Sequence, residues 1–351
     1  MAIPMEMNYA ESGVDREQRK KAKEFGALFE GLVETPYNSL FLAGEKRMAC
    51  LCVDGVGTKV LLAQAVGKHE SIGVDGAAMV LNDCIRSGCK PIATSDTIDI
   101  SESQPKILKE LVNGFSMASE EAGAKVVSGE TADVRELLNG MKGKAHYQMN
   151  CSCYGEAGES EVVYGNKIEA GDKIIGLRSS GLHSNGISLA RKALFNEWGG
   201  AFDFFDEPEG IERPLAEEAL VPTKIYVKPV LKAMKELEVK GAVHVTGDAY
   251  LKFKNLSRCS PIGFEFTNFK PQRIFGLIQE AAQKKGRVVR DEEMFKTFNM
   301  GWGFALVIPK KECDEAIQML KNNGIESEEI GEASEKKGEV KISWKGRTFS
   351  L

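Results

Sequence analysis

With 351 residues the chain is long enough for two domains that each bury a core, and its hydrophobic (42%) and charged (28%) fractions are those of an ordinary globular protein. The net charge of −5 comes without a basic block, so neither nucleic acid nor an anionic membrane surface is expected as a partner. The sequence has no run of about 18 apolar residues, so no membrane span is expected. The first residues lack the basic and apolar regions of a secretory signal. We therefore expect a cytoplasmic protein.

The first half of the chain alternates between strand and helix patterns. Charged and apolar residues at helical spacing predict a helix over 15–32, and an apolar run predicts a buried strand over 46–54. Gly88 is placed to end a helix over 74–91, with Pro91 beyond it. The other predictions for this half are a helix start at 60–67, a helix over 104–123, and strands over 92–100, 124–131 and 145–157.

The second half opens at 168–186 with a turn, a strand and a Gly/Ser-rich loop, followed by a helix pattern. We therefore place a boundary near residue 170, which gives an N-terminal domain over 1–170 and a C-terminal domain over 171–351. Strands that alternate with helices in both halves predict a mixed fold of the α/β or α+β class. Further predictions are helices over 223–237, 271–286 and 310–324 and strands over 241–247 and 301–309.

The eight cysteines are expected to be reduced thiols, because several lie in apolar runs and no secretory signal precedes them. In "YQMNCSCYG", Cys151 and Cys153 point to one face if the segment is a strand. No second close pair with zinc-type spacing follows, so this pair gives little support for a metal site.

The stretch "DGVGTK" (54–59) follows the apolar run "MACLCV" and has the composition of a loop that holds phosphate. Gly55 and Gly57 let the backbone approach a ligand closely, while Thr58 and Lys59 supply a hydroxyl and a cation. Alone, Asp54 is more often a turn former, and Lys59 could equally be a solvated surface residue. A carboxylate beside phosphate needs a cation between them, so the loop indicates a metal ion.

Other acids strengthen this indication. Asp75 and Asp83 are eight residues apart on one predicted helix, about 80° apart in angle, so they share a face with Asn82 beside them. Asp96 lies in the next strand, and Glu130 lies in the loop "SGETAD". Each acid alone is more often a surface residue without function. As a group beside Gly-rich loops they favour Mg²⁺, which takes oxygen ligands and is shared between carboxylates and phosphates in nucleotide sites.

The stretch "SSGLHSNG" (179–186) precedes a predicted helix, and the unpaired N–H groups of a helix start bind anions. The alternative is a capping loop without function, with Ser184 or Asn185 as the cap. His183 could donate to phosphate or act as a general acid or base. In "HVTGDAY" and "TFNMGWG", Thr246 and Asn299 are polar residues at strand edges that alone indicate only turns.

The chain contains no G-x-x-x-x-G-K-[ST], G-x-G-x-x-G, H-E-x-x-H or G-x-S-x-G motif, which argues against P-loop, Rossmann, zinc-protease and serine-hydrolase proteins. In order, its motifs resemble those of the aminoimidazole ribonucleotide synthetase (phosphoribosylformylglycinamidine cyclo-ligase) family over nearly the whole chain. The matching stretches are "YAESGVD", "DGVGTK", "HESIGVDGAAMVLNDCIRSGCKPI", "SGETAD", "SSGLHSNGISLARK", "VPTKIYVKPV" and "FKTFNMGWG".

Two departures from the family pattern stand out. The family has a Phe-Gly-Gly stretch before its first buried strand, where this chain has "TPYNSLFLAGEKRM" with one glycine. The family's His-x-Thr-Gly-Gly-Gly is here "HVTGDAY", so Asp248 and Ala249 replace two glycines. A backbone with positive φ at these positions would be disturbed, which indicates a divergent branch.

The resemblance implies a homodimer whose N-terminal domains close a shared β-barrel, with an α/β C-terminal domain over the cleft. It implies ATP and Mg²⁺, and formylglycinamidine ribonucleotide as a small-molecule substrate that is cyclised in purine biosynthesis through a phosphorylated amide. The catalytic residues implied are Lys59, His183 and Asn299. Mg²⁺ would be held by Asp54, Asp83, Asp96 and Glu130. Nucleotide and substrate phosphate would be bound by Gly55, Gly57, Thr58, Lys59, Asp75, Asn82, Ser184, Asn185, Gly186 and Thr246.

Two alternatives stay open. Another ATP-using member of the superfamily is one, such as a thiamine-phosphate kinase or a hydrogenase-maturation protein. A selenophosphate synthetase is disfavoured, because the N-terminus has no early reactive Cys in a Gly-rich segment. A nucleotide-binding paralogue without turnover is supported only by the replaced glycines, and the retained acids speak against it.

Overall fold

The computed structural model describes residues 5–23, 31–37, 40–141 and 143–351. It confirms a mixed fold in which two main sheets are combined with helices. The helix predicted over 15–32 is observed as Arg16–Lys23, and its part over 24–30 lies outside the described residues. Residues 38 and 39, within the stretch 35–48 that departs from the family pattern, also lie outside them.

The first half of the chain contributes seven strands and four α-helices among the described residues. The strands are β1 (Met5–Glu6), β2 (Leu32–Val33), β3 (Leu40–Gly44), β4 (Arg47–Gly55), β5 (Lys90–Ile100), β6 (Lys125–Asp133) and β7 (Tyr147–Gly158). The helices are α1 (Arg16–Lys23), α2 (Val60–Val66), α3 (Glu70–Ile85) and α4 (Pro105–Ala122).

Strands β2 to β7 form an open sheet in the order β2-β3-β4-β7-β5-β6, in which only the pair β5–β6 is parallel. Along β7, successive side chains point to opposite faces of the sheet, and every second one is buried. The buried face packs against α3. Helix α4 crosses α3 closely, because Gly73 and Gly114 stand at the crossing. A Cβ on Gly73 would lie 2.0 Å from the Leu111 carbonyl oxygen, and one on Gly114 would lie 2.0 Å from that of Glu70.

The helix predicted over 74–91 has different bounds, since α3 begins at Glu70 and ends at Ile85. Pro91 lies inside β5 rather than in a connection after the helix. The strand tolerates it because the pairing with β7 shifts register between Pro91 and Ala93, where an irregular ladder does not need the missing N–H.

The second half of the chain contributes the strands β8 (Lys173–Arg178), β9 (Gly241–His244), β10 (Gly263–Phe266), β11 (Arg287–Val288), β12 (Trp302–Ile308), β13 (Ser327–Ser334), β14 (Val340–Trp344) and β15 (Arg347–Ser350). Its helices are α5 (Ile187–Leu194), α6 (Leu215–Ala219), α7 (Val227–Glu236), α8 (Phe253–Cys259), α9 (Arg273–Lys284), α10 (Asp291–Thr297) and α11 (Cys313–Asn322). All of these strands except β11 form a seven-stranded sheet in the order β15-β14-β10-β13-β8-β12-β9.

Two contacts tie the N-terminal residues to this second half. Strand β11 pairs with β1 rather than with the seven-stranded sheet. The Tyr9 N–H donates to Glu293 at the start of α10. The N-terminal segment therefore packs against the C-terminal half of the chain.

All eight cysteines are free thiols, and Cys151 and Cys153 are both buried on one face of β7, as the pattern indicated. Among the helices that the structure describes, none has the length and apolarity to cross a membrane.

Candidate functional site

Helix α3 carries a polar face that meets loops from both halves of the chain. Asp75 is fully buried, and its carboxylate lies 2.7 Å from the ammonium of Lys59. The same carboxylate accepts hydrogen bonds from the Thr223 N–H at 2.8 Å and the Thr223 hydroxyl at 2.6 Å. These contacts of Asp75 hold the loop 54–59 and the segment 221–226 against α3.

The Lys59 ammonium is enclosed in this network. Its side chain is 0% exposed, and it donates to the Val221 carbonyl at 2.9 Å. Burial lowers the pKa of Lys59, and Asp75 acts in the opposite direction. Thr58 next to it bonds the Ser188 hydroxyl on α5 at 2.9 Å.

Asn82 and Asp83 continue the same face of α3. The Asn82 amide donates to the Lys224 carbonyl and accepts from the Tyr226 N–H, both at 2.9 Å. One Asp83 oxygen lies 2.8 Å from His244 Nδ1 and the other lies 3.0 Å from Arg86. Burial opposes ionisation of Asp83, but Arg86 and His244 hold its pKa well below its usual range.

Two other predicted ligands lie on the sheet beneath α3. Asp54 on β4 is opposite Cys151 on β7, and Cys151 is opposite Asp96 on β5, so the three side chains form one row. Burial raises the pKa of Asp54, and the nearby Asp83 charge adds to the effect. Burial likewise raises the pKa of Asp96. Among the described residues neither carboxylate has a salt-bridge partner, although the charges of Lys252 and Arg86 act against the rise in the pKa of Asp54.

Glu130 lies on the exposed edge strand β6, with its carboxylate accepting from the Thr131 N–H at 3.2 Å. Over the described part of the chain, no three His, Cys, Asp or Glu side chains are grouped so that they could hold a metal ion. The four predicted ligands are thus brought onto neighbouring elements, without forming a complete coordination shell from this chain.

The loop 183–186 opens α5 without a side-chain cap. Gly186 is the N-cap residue, so capping by Ser184 or Asn185 is wrong. The φ of Gly186 is 76°, and a Cβ there would lie 2.3 Å from the Phe298 ring, which explains the glycine. Ser184 instead faces Thr223, with 3.3 Å between their hydroxyls, and the Asn185 amide lies against Met79.

His183 and His244 each hold one buried ring nitrogen without a hydrogen-bond partner in the described structure, Nδ1 in His183 and Nε2 in His244. His183 Nε2 accepts from the Ser180 N–H at 3.2 Å. Burial holds the pKa of His183 well below its usual range and lowers that of His244 to about 4. Both imidazoles are therefore neutral at pH 7, and His183 presents an Nδ1–H donor.

Asn299 is hydrogen-bonded to the backbone of the loop 179–186. Its amide donates to the Gly181 carbonyl at 2.8 Å, and its oxygen accepts from the Gly301 N–H at 2.9 Å. Thr246 follows the end of β9, and the ammonium of the half-buried Lys252 donates to its hydroxyl and, at 3.2 Å, to the His244 carbonyl.

Sequence reasoning missed Lys252 and Thr223. Burial lowers the pKa of Lys252, while the charges of Asp83 and Asp54 oppose this, so the ammonium interacts electrostatically with two of the predicted metal ligands. Thr223 belongs to the segment "VPTKIYV", which the sequence identifies only by its resemblance to the family motif. Nothing in the local pattern shows that its hydroxyl would reach across to α3, because that contact joins residues 148 positions apart.

Comparisons with known proteins show which family the chain resembles along its length. A family model described as AIR synthase related protein, N-terminal domain, matches residues 38–157, and its C-terminal counterpart matches residues 169–343. A phosphoribosylformylglycinamidine cyclo-ligase of Pyrococcus furiosus is 39% identical over 95% of this chain and 96% of its own length. One from Bacillus pumilus is 38% identical over 90% of this chain and 86% of its own length.

Solved structures with the same fold are more distant in sequence. The hydrogenase maturation protein HypE in complex with ATP has a TM-score of 0.61 at 16% identity, covering 97% of this chain and 95% of that one. PurL of T. maritima complexed with ATP has a TM-score of 0.55 at 13% identity, covering 89% of this chain and 45% of that one.

Proposed function

Because the chain belongs to the AIR synthase-related family, we propose that it is an ATP-dependent cyclo-ligase that converts formylglycinamidine ribonucleotide to 5-aminoimidazole ribonucleotide. The observation that carries the proposal is the identity of 36–40% with relatives that are named for this activity and aligned over most of the chain. At 13–17% identity, the likeness to HypE and PurL supports the fold alone.

In the proposed reaction, the γ-phosphoryl group of ATP is transferred to the formamide oxygen of the substrate. An amidine nitrogen then attacks the same carbon, loses a proton and closes the five-membered ring. The bond from this carbon to the phosphorylated oxygen breaks, and inorganic phosphate leaves. Such chemistry depends on positioning and charge stabilisation more than on a protein nucleophile.

The buried polar network supplies these functions without a catalytic triad. The N–H groups of the loop 183–186 and the Nδ1–H of His183 would bind a phosphate or the transferred phosphoryl group. Ser184 and Asn185 would add hydrogen bonds. Lys59 would contribute positive charge from inside the network, held in place by Asp75.

Asp54 and Asp96 fit Mg²⁺ by their chemistry, because they offer oxygen ligands, burial raises the pKa of both, and neither forms a salt bridge among the described residues. When bound, Mg²⁺ would neutralise charge on the phosphates of ATP. Glu130 stays a predicted ligand on the exposed edge of the sheet. In this conformation both Asp83 oxygens are engaged by His244 and Arg86, so a metal role for Asp83 would require a further lone pair or a rearrangement.

For the assembly, we propose a homodimer in which the open face of the N-terminal sheet pairs with its copy, with domains over 1–170 and 171–351. Leu51 and Val53 on β4 point away from α3 and are 57% and 70% exposed. Next to Val53, the hydroxyls of Ser95 and Ser152 bond each other at 2.6 Å on the same open face. An exposed face with apolar residues and an unpaired edge strand β6 would be covered by a second copy.

Sedimentation tests this assembly. The wild type should sediment as a dimer at micromolar concentration, and Val53→Lys should shift it toward the monomer. Leu137→Lys is the matched control, since Leu137 is 81% exposed in a turn outside the sheet. A monomeric wild type that still binds ATP would contradict the shared barrel.

A coupled assay tests the reaction itself. ATP hydrolysis is measured with and without formylglycinamidine ribonucleotide, and ring closure is followed by detection of the aminoimidazole product. We expect hydrolysis that depends on the ribonucleotide and equals product formation. Hydrolysis without this dependence would favour another ATP-using member of the superfamily, and binding of ATP without turnover would favour a non-catalytic paralogue.

A further inference from the structure

The turn after β9 holds two non-glycine residues in the left-handed region. The φ angles are 66° at Asp248 and 39° at Ala249, values that side chains other than glycine rarely adopt. Ala249 is fully buried, and its N–H donates to the Thr246 carbonyl at 2.6 Å. A conformation of this kind persists only where surrounding contacts fix it, so the contacts of Asp248 are informative.

Asp248 forms an ion pair with the N-terminal segment. Its carboxylate lies 3.4 Å from Arg16 Nε, at the start of α1. The same guanidinium lies 3.0 Å from Glu293 and donates at 2.6 Å to the Thr297 hydroxyl, both on α10. It also lies over the ring of Tyr9, 5.1 Å from the centroid. Arg16 is thus fixed from several directions and gives Asp248 a rigid partner.

The turn that Asp248 fixes carries polar groups of the candidate site. Thr246 Oγ1 accepts from the half-buried Lys252, whose charge interacts with those of Asp54 and Asp83. A Cβ on Gly247 would lie 2.9 Å from the Asn185 side-chain oxygen, so the turn also touches the loop 183–186. A shift of this turn would therefore move Lys252 and Asn185 together.

We propose that Arg16 and Asp248 are positioning residues, whose ion pair holds the turn 244–249 in the conformation that binds the ribonucleotide substrate. The proposal rests on the cyclo-ligase function proposed above. Neither side chain needs to touch the substrate, since the pair acts through Thr246, Lys252 and Asn185. The N-terminal segment becomes part of substrate binding in this chain, although its own residues lie outside the polar network on α3.

The test is a double-mutant cycle with Asp248→Asn and Arg16→Gln, read as KM for the ribonucleotide and kcat. Each single substitution should raise KM by about two- to fivefold, the range that a partly exposed ion pair supports, and leave kcat within about twofold. In the Arg16→Gln background, Asp248→Asn should raise KM by less than it does in the wild type, because the ion pair that the two residues share is already gone. Asp248→Gly should raise KM like Asp248→Asn without lowering Tm, because it relieves the left-handed backbone.

Glu6→Gln is the matched control. It removes the Glu6–Arg290 ion pair at 3.0 Å, which also ties the N-terminal segment to the second half but does not touch the turn, so KM should stay at the wild-type value. Unchanged KM in Asp248→Asn, or additive effects in the cycle, would overturn the positioning role while wild-type turnover stands. A wild type without turnover would instead overturn the proposed function.

Discussion

Two sets of aspartates in the candidate site differ in how their charge is balanced. Asp75 and Asp83 on α3 are paired with basic side chains, Lys59 at 2.7 Å and Arg86 at 3.0 Å. Asp54 and Asp96 on the sheet have no such partner at salt-bridge distance among the described contacts, and burial raises the pKa of both. The difference indicates that the helix acids hold the two halves of the chain together, while the sheet acids are the ones available to the proposed Mg²⁺.

The largest effect should come from Asp54→Asn, which removes one candidate ligand charge. We expect turnover to be abolished while Tm stays equal or rises, because the substitution removes a carboxylate whose ionisation burial already disfavours. Activity over a Mg²⁺ titration and the melting temperature together check this. Normal activity at limiting Mg²⁺ would remove Asp54 from the site and end the distinction between the two sets.

Asp75→Asn should act mainly on stability. It leaves the Lys59 ammonium buried without its partner, and breaking a buried pair in this way typically costs about 3–5 kcal/mol. Urea unfolding measures the change. Glu217→Gln is the control, because the Lys68–Glu217 pair is largely exposed on the lysine side and should contribute less than about 1 kcal/mol. Equal losses in the two variants would show that burial of the Asp75 pair is unimportant.

Stability should also fall in mild acid. The pKa of His244 is lowered from 6.5 to about 4 by burial, and that of His183 lies well below its usual range. Below pH 6.5 these histidines become protonated in the unfolded chain but stay neutral in the folded chain. The stability that is present above pH 6.5 is therefore lost as the pH falls toward 4. For His244 alone the loss is about 3 kcal/mol.

Urea unfolding at a series of pH values between 7.5 and about 4 checks this dependence. His244→Gln should flatten the slope by removing one of the groups. A wild type whose stability does not change between pH 6.5 and 4 would contradict the neutral buried imidazoles, and with them the assignment of His183 Nδ1 as a donor.

The smallest of these effects concerns the loop 183–186. Loss of one hydrogen bond to a charged group costs about 1.5–3 kcal/mol, so His183→Ala should lower kcat/KM by very roughly ten- to a hundredfold. Ser184 is not the cap of α5, so Ser184→Ala should lower kcat/KM with little change in Tm. Both quantities are measured on both variants, and a fall in stability alone would exclude a phosphate role for this loop.

Local sequence was sufficient for the elements with strong periodicity. The helix over 104–123 is observed as Pro105–Ala122, and the strand over 301–309 as Trp302–Ile308. Strands β10, β13, β14 and β15 were not predicted. β13 and β14 carry charged residues between their apolar ones, β13 also contains a glycine, and β10 and β15 span only four residues each. Their place in the sheet depends on pairing with distant strands, which no local pattern contains.

By itself, the sequence predicted the loops and acids of the candidate site, because short motifs such as "DGVGTK" and "HSNG" carry the residue types that phosphate chemistry needs. Only the tertiary structure decided which partners each side chain contacts. Lys59 faces Asp75 rather than solvent, and the charge of Lys252 interacts with those of Asp54 and Asp83. Charge balance in a buried site depends on partners that are far apart along the chain, and only folding brings those partners within a few ångströms.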